Sequence, residues 1–82
     1  MTNELKDLTQ HIRSLKNDKE LEDFIRAILT PQELIAIPKR LQIVKMLKKG
    51  VSQRMVAEKL GVGVATITRG AREIKQKHFK NV

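Results

Sequence analysis

A cluster of short hydroxyl and basic side chains between residues 64 and 75 is the part of the sequence best suited to contact another molecule. Hydroxyl groups can hydrogen-bond to base edges, and guanidinium and ammonium groups bind phosphate oxygens. The segment has no acid before Glu73, and Ile67 and Ile74 recur on one side of a predicted helix. One face should therefore pack on the protein while the other contacts a polyanion. The outward residues are Ala65, Thr66, Thr68, Arg69 and Arg72.

A second helix is predicted just before this segment and would hold it in place. Ser52 is a good N-cap for a helix whose apolar residues Val56 and Leu60 lie four apart. Gly61 follows at the point where the end of a helix favours a left-handed residue. This order of parts is typical of a helix-turn-helix, whose second helix enters the DNA major groove. The sequence thus predicts a DNA-binding motif over residues 52–75.

The distribution of charge agrees with a polyanionic partner. Residues 1–38 hold five Lys and Arg against seven Asp and Glu, and residues 39–82 hold twelve against two, so the net charges are −2 and +10. DNA contact is therefore expected in the C-terminal half. With two Phe and no Trp or Tyr, the chain lacks an aromatic platform for single strands. Double-stranded DNA is the expected partner.

Length and composition further limit the class of protein to which this sequence can belong. A chain of 82 residues buries only about 60% of its unfolded surface, so a partner chain would help it fold. There is no cysteine, which excludes disulfides and Cys-based metal sites. No apolar run reaches about 18 residues, and the polar N-terminus does not resemble a secretory signal. A cytoplasmic protein with no membrane partner is expected.

Catalysis finds little support in the sequence. His11 and His78 lie at opposite ends of the chain, with no nucleophile or ligand set beside them. The glycines of residues 61–63 could suggest a phosphate loop, but no strand precedes them and no GK[ST] follows. We expect no enzyme activity, no metal and no required cofactor.

The remaining segments are predicted to be helical. Apolar residues recur at helical intervals over residues 3–16 and again over about 19–28, with Asp18 as a cap for the second helix. These two apolar stripes exceed what one small chain can cover, which predicts an obligate homodimer. The stripe residues are Leu5, Leu8, Ile12 and Leu15, then Leu21, Phe24, Ile25 and Ile28.

The middle of the chain carries a helix start followed by a proline. Thr30 can cap, Pro31 suits the first helical position, and Glu33 can close a capping box. Pro38 disfavours helical geometry at Ile37, so a separate helix is expected over about 39–49, with Leu41, Val44 and Leu47 inward. The fold class is therefore all-α, with about six short helices in a single domain, 1–82. It comprises dimerisation helices (1–29), core helices (30–50), the helix-turn-helix (52–75) and a basic tail (76–82) expected to fray.

From Leu29 onward the sequence resembles the bacterial Trp repressor family. The shared segments are LTP at 29–31, Arg40 with IV at 43–44, LKKG at 47–50, SQR at 52–54 and ATITRG at 65–70. The resemblance covers roughly residues 24–75 and implies an all-helical, intertwined homodimer whose N-terminal helices build a shared core. It also implies that L-tryptophan binds beside the recognition helix as corepressor and fixes the angle of that helix.

The resemblance also assigns individual residues. The family's corepressor carboxylate is bound by an arginine that corresponds to Arg69, and its indole lies between Arg40 and Arg69; an arginine fork suits a carboxylate, and guanidinium planes suit an aromatic face. These arginines would equally serve phosphates directly. The other matching pocket positions are Leu29, Thr30, Thr66 and Gly70. The positions matching the family's DNA contacts are Gln53, Arg54, Val64, Ala65, Thr66, Thr68 and Lys75.

Glu73 departs from the family pattern and leaves the ligand question open. It stands where the family has a serine that helps hold the ligand's amino group. A carboxylate there could bind an ammonium, repel the ligand's carboxylate, or pair with Arg40 or Arg69 and imitate a bound ligand. The expected ligand is tryptophan or a related amino acid.

Three functional hypotheses follow from these observations. The first is a sequence-specific transcriptional regulator, expected to be a repressor, gated by such a ligand. The second is a small basic architectural DNA-binding protein that needs no ligand, and the third is a protein-interaction module that has lost DNA binding. Ala65, Thr66 and Thr68 favour the first over the second, because short side chains let a helix approach base edges. The third predicts no salt-dependent affinity for DNA.

Overall fold

A computed structural model describes residues 3–82, which form five α-helices and, within that range, no strand. The helices are α1 (Asn3–Ser14), α2 (Asp18–Ile28), α3 (Pro31–Lys48), α4 (Gln53–Leu60) and α5 (Val64–Lys75). The all-α class predicted from the sequence is confirmed. By packing, the chain divides into two compact units, Met1–Leu34 and Ile35–Val82.

The first unit contains α1 and α2 and shows how their ends are held. The side chain of Asn17 accepts a hydrogen bond from the Glu20 amide at 2.9 Å, so Asn17 is the N-cap of α2. The prediction that Asp18 caps this helix was wrong by one position. Asp18 is instead the first helical residue, where its negative charge still favours the positive end of the helix dipole.

The apolar stripes of α1 and α2 are largely uncovered. No described residue of either helix is buried, and Leu5 and Ile28 are 50% and 52% exposed. The rings of His11 and Phe24 pack against each other with their centroids 4.8 Å apart, which links the two helices. The predicted amphipathic pattern is therefore present, but one chain does not bury it.

The helix α3 begins as predicted. The Thr30 amide donates to the Glu33 carboxylate at 2.8 Å, and the Glu33 amide donates to the Thr30 hydroxyl at 3.2 Å. These reciprocal bonds are a capping box, and Pro31 occupies the first helical position, where its missing amide hydrogen leaves no intrahelical bond unmade.

The break predicted at Ile37 is absent, because α3 continues through Pro38. This is why residues 3–82 contain five helices where about six were expected. The steric effect of a proline on the preceding residue is a bias and not a prohibition. The capping box before it and the buried residues Ile43 and Val44 after it hold both halves of the helix, and helix formation is cooperative between them.

The second unit is built on one residue from each of its three helices. Ile43 of α3, Val56 of α4 and Ile67 of α5 are at most 1% exposed and pack together. Val44 is equally buried, as predicted, whereas Leu41, which the periodicity placed inward, is 40% exposed. The partly buried residues around this core are Met46, Leu47, Val51, Ala57, Leu60 and Val62.

The predicted helix-turn-helix is confirmed in its local geometry. The Ser52 hydroxyl accepts from the Met55 amide at 3.2 Å and so caps α4. Gly61 adopts φ +63°, the left-handed region, and its amide donates to the Ala57 carbonyl at 2.9 Å. The turn thus ends α4 and directs the chain into α5.

Pro38 leaves one position inside α3 without a backbone donor. Replacing Pro38 with Ala restores a backbone donor inside α3, so the free energy of unfolding should rise by about 1–3 kcal/mol. Pro31→Ala, in the same helix, should change it by less than about 0.5 kcal/mol, because that position needs no donor. Urea unfolding at one fixed protein concentration measures both values. Equal effects of the two substitutions would show that Pro38 does not strain the helix.

Candidate functional site

The outer face of α4 and α5 carries every residue that the sequence suggested for DNA contact. All nine are exposed. They are Gln53, Arg54, Val64, Ala65, Thr66, Thr68, Arg69, Arg72 and Lys75. Because Ile67 is fully buried on the opposite side of α5, the core fixes the direction in which this face points. The face is basic and offers short polar side chains at its centre.

Arg54 is held only loosely. Its guanidinium lies 3.4 Å from the Glu58 carboxylate, one turn along α4, and its side chain is 89% exposed. Such exposed pairs contribute at most about 1 kcal/mol. Arg54 can therefore exchange this carboxylate for another anion at little cost.

A cavity of about 270 Å³ lies beside this face, within the second unit. It brings together five of the predicted ligand residues. These are Arg40, Thr66, Arg69, Gly70 and Glu73. Ile43, Val44 and Phe79 complete its walls. Leu29 and Thr30 belong to the first unit.

Gly70 lines the cavity at a point where Ile43 of α3 packs against α5. A Cβ atom at this position would lie 3.1 Å from Cγ2 of Ile43, which is tighter than ordinary van der Waals contact. A side chain here would require Ile43 to give way by a few tenths of an ångström. The glycine thus leaves room for Ile43 of α3 against α5.

Glu73 contacts His78, a residue that the sequence did not pair with it. Its carboxylate accepts a hydrogen bond from Nδ1 of His78, because an ionised carboxylate can only accept. This hydrogen bond, the charge of His78 and the charges of Arg69 and Arg72 lower the pKa of Glu73, against an opposing effect of partial burial. The side-chain partner found for Glu73 is thus His78 and not Arg40 or Arg69.

Phe79 is the functional candidate that the sequence reasoning missed. It was placed in a basic tail expected to fray, yet its side chain is partly buried and lines the cavity. The Lys48 ammonium donates to the carbonyls of Phe79 and Val82 at 2.9 and 2.6 Å, which holds the tail on the second unit. The expectation of fraying used only the weak apolar pattern of the tail, which does not predict these polar contacts.

The described residues offer neither a metal site nor a membrane-spanning helix. Within residues 3–82, no three His, Cys, Asp or Glu side chains are grouped so that they could hold a metal ion. In the same range, no helix combines the length and apolar character needed to cross a bilayer.

The fold and the exposed basic face define a small helix-turn-helix protein, and comparison with known proteins identifies its family. The sequence model of the Trp repressor protein family matches residues 3–81. No solved structure gives a significant match. The chain belongs to the Trp repressor family, as its sequence motifs predicted.

Several relatives bear the name Trp operon repressor homolog. The protein of Vibrio campbellii (strain ATCC BAA-1116) is 40% identical over 71 residues, which cover 85% of this chain and 71% of that protein. The protein of Vibrio vulnificus (strain YJ016) is 45% identical over 60 residues, covering 72% and 59%. The protein of Mannheimia succiniciproducens is 41% identical over 71 residues, covering 82% and 70%.

The environment of Glu73 predicts a pH effect on stability. Its pKa in the folded state is below the ordinary value of 4.5, so its contacts stabilise the fold fully above that pH and are lost as the pH falls through the lowered pKa. The difference in free energy of unfolding between wild type and Glu73→Gln should therefore shrink on acidification. Urea unfolding of both proteins from about pH 6 to about pH 3 measures it. A constant difference over this range would contradict the assigned contacts.

Proposed function

We propose that this protein is a homodimeric transcriptional repressor that binds specific double-stranded DNA through α4 and α5. The observation that carries the proposal is the exposed face of nine residues on a helix-turn-helix whose inner side is fixed by Ile67. Membership of the Trp repressor family and the names of the relatives support it. The excess of positive charge in residues 39–82 supplies the attraction to DNA.

The proposed contacts are of two kinds: some position the protein on the duplex, and others read the base sequence. Arg54 and Lys75 flank the face and would bind phosphate oxygens, which fixes the register of the helix on the duplex. Ala65, Thr66 and Thr68 are short enough to let α5 approach the base edges, where the hydroxyls can hydrogen-bond and the methyl groups can contact thymine.

The homodimer is proposed because apolar surface remains uncovered in the single chain. The exposed side chains lie on α1, α2 and α3 and reach 63% exposure at Ile35. They are Leu5, Ile12, Ile25, Ile28, Ile35, Ile37 and Leu41. A second copy would bury them and would also supply a second recognition helix, as two half-sites about one helical turn of DNA apart require.

Tryptophan or a related amino acid is the proposed corepressor. Arg40 of α3 and Arg69 of α5 both line the cavity, together with the apolar side chains of Ile43, Val44 and Phe79. A ligand carboxylate bound to Arg69 and a ring packed against the walls would brace α5 against α3. The ligand would thereby favour one angle of the recognition helix, and affinity for the operator would rise.

One observation favours a second candidate, an architectural DNA-binding protein that needs no ligand. Glu73 already holds the tail through His78, and Lys48 binds the same tail from α3. The tail therefore connects α5 to α3 before any ligand binds. The candidates differ in sequence preference, which the architectural protein would lack.

The phosphate contacts predict a steep dependence of DNA affinity on salt. The logarithm of the binding constant should fall with the logarithm of salt concentration by about 0.9 per neutralised phosphate. Arg54→Ala and Lys75→Ala should each reduce that slope by about one. Lys19→Ala removes the same charge from an exposed site in α2 and serves as the control, with an unchanged slope. A slope near zero in wild type would refute DNA binding.

Thr68 should affect which sequence is bound more than how tightly DNA is bound in general. Thr68→Ala removes one hydroxyl and no charge, so the affinity for nonspecific duplex should stay the same. The preference between the best site and a variant of it should change by about 1–3 kcal/mol at the contacted base pair. Competition binding with a set of single-base variants measures this, and an unaltered preference would remove Thr68 from the reading residues.

Ligand binding is tested by calorimetric titration of tryptophan. Wild type should bind, and Arg69→Ala should bind more weakly by about 1.5–3 kcal/mol, the contribution of a hydrogen bond to a charged group. Arg72→Ala, which removes the same charge from α5 without lining the cavity, should bind as wild type does. Binding by Glu73→Ser but not by wild type would show that Glu73 closes the cavity. If neither binds any amino acid, the corepressor part of the proposal is wrong.

A further inference from the structure

The tail leaves α5 through a defined turn that reverses the chain. Lys77 adopts φ +65°, the one described non-glycine residue in the left-handed region. Its amide donates to the Ile74 carbonyl at 2.9 Å, and the His78 amide donates to the Glu73 carbonyl at 3.0 Å. These two bonds define a Schellman motif, in which glycine usually occupies the left-handed position. Lysine adopts that conformation less readily, so other contacts must hold the turn.

The side chains at this turn supply one such contact. In a Schellman motif the residue after the left-handed position usually makes an apolar contact with the residue at the start of the last helical turn. Here those two residues are His78 and Glu73, and they make an imidazole–carboxylate contact instead. Because Glu73 also lines the cavity, the contact that fastens the turn lies at the rim of the proposed ligand site.

The turn delivers Phe79 to the cavity, where a second contact holds it. The Phe79 side chain is partly buried and forms one wall. Its carbonyl accepts a hydrogen bond from the Lys48 ammonium, which comes from α3. The segment is thus attached to both helices that form the cavity, by its turn to α5 and by Lys48 to α3. Open volume remains beside the ring, so Phe79 lines the space and does not fill it.

We propose that residues 76–82 form the third wall of the ligand cavity, with the Phe79 ring packing directly against an aromatic ligand. Glu73 and His78 act as positioning residues, since their contact and the Lys77 turn place that ring. Glu73 therefore influences the ligand through the tail and not by binding its amino group. The inference rests on the proposed corepressor function and specifies which part of the chain completes that site.

Two substitutions of Lys77 provide a matched test. Lys77→Gly and Lys77→Val remove the same charge, but glycine favours the left-handed turn and a β-branched residue opposes it. Tryptophan binding, measured by calorimetry, should be as tight as in wild type or tighter in Lys77→Gly. In Lys77→Val it should be about fivefold weaker or more, because the turn that places Phe79 is disfavoured. A purely electrostatic role of Lys77 would move both variants equally.

Phe79→Leu tests the ring itself while keeping an apolar side chain at the wall. The aromatic pair contributes beyond its buried area, so tryptophan should bind about 2- to 12-fold more weakly. Circular dichroism melting checks that each variant is folded. If Lys77→Val does not fold, the comparison of Phe79→Leu with wild type decides the matter.

The outcomes separate this inference from the function on which it rests. If wild type binds tryptophan and all three variants bind it equally well, the tail is not part of the site and the inference is wrong, while the corepressor function stands. If wild type binds DNA but neither tryptophan nor any other aromatic amino acid, both the corepressor function and this inference are wrong. Weaker binding by Lys77→Val and Phe79→Leu, with Lys77→Gly unaffected, supports the inference.

Discussion

The packing of Ile43, Val56 and Ile67 is the contact on which the rest of the C-terminal half depends. Each comes from a different helix and each is at most 1% exposed. Burying a side chain of this size contributes about 1.5–3 kcal/mol. Because Ile67 fixes the inner side of α5, its outer side must present the basic and hydroxyl groups. Ile43 also lies against Gly70, and both residues line the cavity. One small core thus sets both the proposed DNA face and the proposed ligand site.

The parts of the fold that local chemistry determines could be predicted from the sequence. Ser52 and Gly61 define the ends of α4 through capping and left-handed geometry, and the structure has both. The rule for residues before proline failed at Pro38, since it weighs one steric clash and ignores anchoring on either side. Leu41 was placed inward because periodicity alone cannot choose between neighbouring faces of a helix that is apolar on several sides. Both errors arise where packing outweighs a local signal.

In the candidate ligand site, too, some features could be predicted before the structure was known and others could not. Arg40 and Arg69 are far apart in the chain and carry no pattern that pairs them, so only the family resemblance brought them together in advance. Phe79 and His78 carried even less signal, because the turn that places them uses Lys77 where a glycine would have marked it. The contact between Glu73 and His78 could not be predicted from helical spacing, because His78 lies beyond the end of α5. Only the three-dimensional structure shows that the tail contributes to the cavity.

Selection from a random pool of duplexes tests most directly whether α5 reads a DNA sequence. Binding of the wild-type protein in the presence of tryptophan should enrich sites with two related half-sites, centred about 10 base pairs apart. The selected duplex should bind about 1,000-fold more tightly, or better, than unselected duplex at the same salt concentration. A pool that shows no enriched sequence, with equal affinities for selected and unselected duplexes, would contradict the account and leave a nonspecific DNA-binding protein.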